Sequence, residues 1–74
     1  MNALERFGLN LRECRQKVGL SQERLALEAE LNRSYVGQVE RGERNISLLN
    51  MRKLAMAIGC TVSELVSGVE ESEA

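Results

Sequence analysis

An all-α fold of five short helices is what this sequence predicts, and three observations carry the prediction. Ala, Leu, Glu and Arg abound while Pro is absent, which favours helix throughout. Apolar residues recur at three- and four-residue steps along most of the chain. No β-branched run alternates long enough to make a sheet. Seventy-four residues leave room for one domain with a small core, and a chain of this size often draws stability from a partner subunit. We place that domain, with its last helix, over residues 1–68 and read 69–74 as an acidic, frayed tail. No apolar stretch reaches transmembrane length and no basic start leads into a signal-type hydrophobic run, so a cytoplasmic location is expected and a membrane is not a partner.

The first helix is marked by Leu4, Phe7, Leu11, Cys14 and Val18, one face of an amphipathic stretch that Asn2 can N-cap and Gly19 can end. Gly8 marks the close approach of a neighbouring helix. Leu20 and Ser21 read as the staple and N-cap of the second helix. From Gln22 to Arg41 the small and apolar residues fall where two helices crossing steeply must touch. Leu25, Ala26 and Ala29 form one inward face, Val36 and Val39 the other, and Leu31 plugs the turn that Asn32 caps. Arg33, Ser34, Tyr35, Gly37, Gln38 and Arg41 are left on the outer face of the third helix, rich in hydrogen-bond donors. Such a helix-turn-helix is suited to the major groove of double-stranded DNA.

A donor-rich loop, GERNIS, follows Gly42. Ser47 can cap a fourth helix with Leu48, Met51, Leu54, Ala55 and Ile58 on its inner side, ended by Gly59. Thr61 or Ser63 opens a short fifth helix. Its Val62, Leu65 and Val66 exceed what one core needs at a chain end, so they are expected to form a dimer interface.

Gln22, Leu25, Ala26, Ala29, Leu31, Val36, Val39 and Glu40, followed by RGERNISLLNMRKLAMAIGCTVSEL, resemble the Cro and phage-repressor family of helix-turn-helix regulators. Within it, NRSYVGQVERGERNIS is similar to the controller proteins of restriction–modification systems. The resemblance implies a compact, five-helix, lambda-repressor-like domain acting as a homodimer on an inverted-repeat operator. It also implies two dimers on adjacent sites, activating and repressing the protein's own promoter, with RNA polymerase a further partner of the activating state. One departure stands out. The turn position that the family usually fills with Gly is Glu30 here, where a positive φ would cost on the order of 1 kcal/mol.

Carried over position by position, the resemblance assigns base contacts to Arg33 and Ser34, and the chemistry agrees. Arg can fork to guanine O6 and N7, and a small hydroxyl serves several bases. Gln38, one turn on, could read an adenine edge. Tyr35, which matches a tyrosine near the operator centre, is placed with the base-contacting residues; its plainer reading is a ring packed over the helix edge. Arg41, Arg44, Asn45 and Ser47 match positions on the sugar-phosphate backbone, and Gln22, an amide beside the free N–H groups of a helix's first turn, suits a phosphate oxygen as well. Glu40 faces inward, where Arg15 of the first helix is placed to form a structural ion pair with it.

The net charge of −1 gives no general pull on DNA, but its distribution is uneven. Glu70, Glu71 and Glu73 crowd the end, whereas Arg33, Arg41, Arg44, Arg52 and Lys53 face only Glu40 and Glu43 between residues 32 and 53; contact is made by one face, so local charge decides. Cys14 and Cys60 occupy apolar positions and read as small buried hydrophobes. With no His and no Asp there is no metal-ligand set and no nucleophile–base pairing, so no metal, cofactor, small-molecule ligand or enzymatic activity is expected. The alternative to a DNA regulator is an interaction module of antitoxin or anti-repressor type on the same fold, which would have no use for the Arg-rich face.

Overall fold

The computed structural model describes residues 1–73. It contains α1 (Ala3–Lys17), α2 (Gln22–Ala29), α3 (Arg33–Glu40), α4 (Leu48–Ile58) and α5 (Val62–Leu65), followed by a 3-10 turn at Val69–Glu71. Every α-helix starts at a residue whose side-chain oxygen accepts a first-turn N–H: Asn2 from Glu5, Ser21 from Arg24, Asn32 from Ser34, Ser47 from Asn50 and Thr61 from Glu64. These bonds satisfy donors that have no partner within the helix. At α1 the Glu5 carboxylate also accepts from the Asn2 N–H, completing a capping box. Thr61, not Ser63, opens α5.

The core is built from all five helices. Phe7 and Leu11 of α1, Leu25 and Ala26 of α2, Val36 and Val39 of α3, Leu54 of α4 and Leu65 of α5 are all buried. Gly8 permits α1 to lie directly on the end of α3, because a Cβ there would stand 2.3 Å from the Glu40 carbonyl oxygen. Between α2 and α3 the chain turns at Glu30, at φ 57° and ψ 43°, so the left-handed conformation falls on Glu30 itself. The Glu30 N–H donates to Ala26 and Leu27, and the Leu31 N–H donates to the Ala26 carbonyl at 2.9 Å. Helical C-cap bonds and the half-buried Leu31 thus hold a conformation that the side chain disfavours.

Five expectations are corrected. Val18 is 53% exposed: it lies at the C-cap of α1, past the last turn that touches the core, and the buried position there belongs to Arg15. Leu48 is 68% exposed, since the first residue of α4 precedes the helix's contact with the core; Ile46, in the loop before it, is buried instead. Ile46 and Met51 occupy the positions of a hydrophobic staple around the Ser47 cap. Leu65, expected at a dimer interface, is fully buried within the single chain, while Val62 and Val66 are half-buried against the same core. The tail is not frayed through Glu73. Val69 packs on the core, the Glu73 N–H donates to the Met1 carbonyl at 3.1 Å, and Asn10 Nδ2 donates to the Leu65 and Ser67 carbonyls. The expectation for Ala74 lies outside the described residues. The two cysteines are half-buried rather than enclosed.

Candidate nucleic-acid interface

Capping by Asn32 fixes where α3 begins, and so what it shows to solvent. Arg33 and Ser34, its first two residues, are exposed; Gln38 is half-exposed one turn later, and Arg41 is exposed at the C-cap. Gly37, expected on this outer face, is buried. Arg41 Nη1 lies 3.2 Å and Gln22 Oε1 3.6 Å from where its Cβ would be, so the missing side chain is the space these two polar groups cross. Arg41 donates from Nε to Glu43 at 3.1 Å and from Nη2 at 3.2 Å. The hydrogen bond to Glu43, and then its charge, push the Arg41 guanidinium above its ordinary value. Arg44, Asn45 and Ser47 follow, all exposed, in the loop between α3 and α4.

Behind this face, Arg15 and Glu40 meet as a two-pronged pair. Arg15 Nε donates to Glu40 Oε2 at 2.6 Å and Nη2 to Oε1 at 3.0 Å, while Nη1 donates to the Leu20 carbonyl at 2.8 Å. The two side chains are only 11% and 3% exposed. Gln22 joins them, its Nε2 donating to Glu40 Oε1 at 2.9 Å. The first residue of α2 is therefore tethered to the last residue of α3, which fixes the relative placement of the two helices.

Tyr35 is half-buried. Asn50 Nδ2, in the first turn of α4, donates to its hydroxyl oxygen at 3.1 Å. Arg44 covers its ring, Cζ lying 5.1 Å from the centroid, and Arg44 Nη1 donates to Gln38 Oε1 at 2.9 Å. Gln38, Arg44, Tyr35 and Asn50 form one connected set along a cleft of about 450 Å³ between α3 and α4. Asn50 carries no signal in the sequence, because nothing about a polar residue in a helix's first turn reveals that it faces a tyrosine fifteen positions earlier. The described residues hold no group of three or more potential metal ligands, and none of their helices is long and apolar enough to cross a membrane.

Residues 11–65 match the family model described as a helix-turn-helix. The chain belongs to the helix-turn-helix family. Among relatives of this helix-turn-helix chain, the control protein C.MunI of a Mycoplasma species is 43% identical over 67 residues, which are 89% of this chain and 90% of that protein. The restriction–modification controller protein C.AhdI of Aeromonas hydrophila is 56% identical in its crystal structure. It superposes with a TM-score of 0.82 over 84% of this chain and 94% of its own. The controller protein C.Esp1396I, described as a tetramer in complex with its natural 35 base-pair operator, shares the fold with a TM-score of 0.80. It is 20% identical over 93% of this chain and 91% of its own. These likenesses uphold the resemblance to helix-turn-helix regulators, and to controller proteins among them, that the sequence carries.

Proposed function

We propose that this helix-turn-helix protein is a sequence-specific, DNA-binding regulator of transcription in the cytoplasm, acting as a homodimer on an inverted-repeat operator beside restriction–modification genes. The observation that carries the reading is the exposed α3 face. Arg33 and Ser34 stand at its start with Arg41, Arg44 and Asn45 close after, on a helix locked to α1 by a buried ion pair. In this reading Arg33, Ser34 and Gln38 discriminate bases from the major groove. Gln22, Arg41, Arg44, Asn45 and Ser47 set the register on phosphates. The likeness to C.MunI and C.AhdI supports a controller role, and the operator-bound tetramer of C.Esp1396I is the model for two dimers on adjacent sites. Activation at low occupancy would then involve RNA polymerase. With Leu65 in the core, we assign the pairing of two copies to the half-buried Val62 and Val66, joined by exposed apolar residues of α4 such as Leu49 and Met56, 69% and 67% exposed.

Selection of bound sequences from a random duplex pool, at stated salt and with competitor DNA, tests this reading. It predicts recovery of an inverted repeat whose half-sites lie about one helical turn apart. Arg33→Ala should relax selection at one base pair per half-site, while Arg44→Ala should weaken all duplexes, with any change of selection confined to the base that Gln38 reads. No enrichment from a folded preparation would return the chain to the interaction-module alternative.

A further inference from the structure

We propose that Asn50 is a positioning residue for DNA binding: its side-chain amide holds the Tyr35 hydroxyl as an acceptor, leaving the phenolic proton to be donated outward to a backbone phosphate oxygen. The inference rests on the DNA-binding reading above. Asn50 is fixed at both ends. Its N–H donates to the Ser47 Oγ cap at 3.1 Å, and its Nδ2 donates to Tyr35 at 3.1 Å.

A tyrosine hydroxyl has one proton to give and lone pairs to receive with. Because Asn50 supplies a donor, the oxygen spends a lone pair on it and the proton is directed elsewhere. The Tyr35 hydroxyl makes no other hydrogen bond within the described residues, and the cleft beside it is open to solvent and also lined by Ser34, Gln38 and Arg44. Arg44 over the ring restricts its swing and brings a positive charge to the same cleft. A fixed phenolic donor beside a guanidinium suits a phosphate oxygen better than a base edge, because it presents direction and charge without a bidentate pattern. The site couples α4 to the recognition helix, so the first turn of α4 contributes to affinity from behind the face that reads the bases.

The test is a double-mutant cycle on the dissociation constants of the duplex recovered by selection and of a random-sequence duplex, with thermal unfolding followed in parallel. Tyr35→Phe should weaken both duplexes by roughly tenfold, and Asn50→Ala by roughly three- to tenfold, as expected for one directed hydrogen bond. The Tyr35→Phe/Asn50→Ala double variant should bind no more weakly than Tyr35→Phe, since Asn50 acts through the hydroxyl. Asn50→Asp should lose more than Asn50→Ala, because a carboxylate would accept the phenolic proton and repel phosphate. Tyr35 is the only tyrosine and there is no tryptophan, so the change in intrinsic emission on adding DNA reports this site and should shrink in Asn50→Ala. Wild-type affinity in Asn50→Ala, or losses that multiply in the double variant, would overturn the proposal while leaving DNA binding intact. Failure of the wild-type protein to bind any duplex would overturn both.

Discussion

Removing Arg15 alone should damage this fold more than removing Arg15 and Glu40 together. In Arg15→Met the Glu40 carboxylate, 3% exposed, loses donors at 2.6 and 3.0 Å and keeps only Gln22 at 2.9 Å among the described residues. At about 4 Å between charge centres and an effective dielectric near 20, the pair attracts by roughly 4 kcal/mol. Burying each ion costs several kcal/mol, so the intact pair is close to neutral, whereas a stranded partner costs about 3–5 kcal/mol. The Leu20 carbonyl also loses its donor at 2.8 Å, which puts Arg15→Met in the upper half of that range. Arg15→Met/Glu40→Leu removes both charges and should lie within about 2 kcal/mol of the wild type. At about 4–8 °C per kcal/mol for a domain of this size, Arg15→Met should unfold roughly 16–40 °C early and the double variant by about half as much at most. Calorimetry and urea titration at one fixed protein concentration measure this, concentration being held because self-association shifts the midpoint. Losses in the double variant equal to the sum of the single losses would refute the account, since they would mean that the two groups are not coupled.

Three further outcomes are expected. Glu30→Gly should stabilise by up to about 1 kcal/mol, because glycine adopts the left-handed turn without a Cβ penalty but loses more entropy on folding; a lower melting midpoint would contradict it. Gly8→Ala should cost about 2 kcal/mol or more, because the added methyl meets backbone oxygens of Glu40 and Val39 rather than a flexible side chain; urea unfolding with an unchanged m-value checks it, and wild-type stability would show that α1 can shift freely. Burial, with Cys14 beside it, pushes the Cys60 thiol from its ordinary 9.0 up to about 11. The fold thus favours the neutral thiol, a contribution fully present below pH 9 and lost as pH rises towards 11. Alkylation of Cys60 at pH 8 should therefore be slower in the folded protein than in urea, and equal rates would sink the argument.

The legible part of this fold was the part governed by local rules. Four caps are legible, and the fifth is narrowed to Thr61 or Ser63, because Asn, Ser and Thr act on the turn that immediately follows them, and Leu25, Ala26, Val36 and Val39 are legible because period alone puts them inside. Errors gathered where position along a helix does not determine what lies opposite. Val18 and Leu48 continue a period beyond the point where the core ends, and Ile46 is buried from a loop that its polar neighbours made look solvated. Leu65 reads as partner-facing because burying it depends on how α5 folds back on α1 and α4. Of the site, the exposed residues of α3 were readable and the Arg15–Glu40 pair followed from the inward position of Glu40. Gly37 and Asn50 were not, since each owes its role to side chains arriving from another element.

The site and the core share atoms, so a substitution at the site acts on both. Glu40 accepts from both Arg15 and Gln22, so a change at Gln22 meant to delete a phosphate contact also removes a donor from a buried carboxylate. Gln38 accepts from Arg44, so losing either alters the presentation of the other. A loss of DNA affinity in Gln22→Ala or Gln38→Ala therefore does not identify a lost contact unless stability and Arg44 are accounted for. Arg33 is different. It is exposed, at the start of α3, and makes no side-chain hydrogen bond or salt bridge among the described residues. Its removal should leave the melting midpoint within about 0.5 kcal/mol of wild type in free-energy terms, which makes it the position where an effect on sequence preference can be assigned directly to recognition.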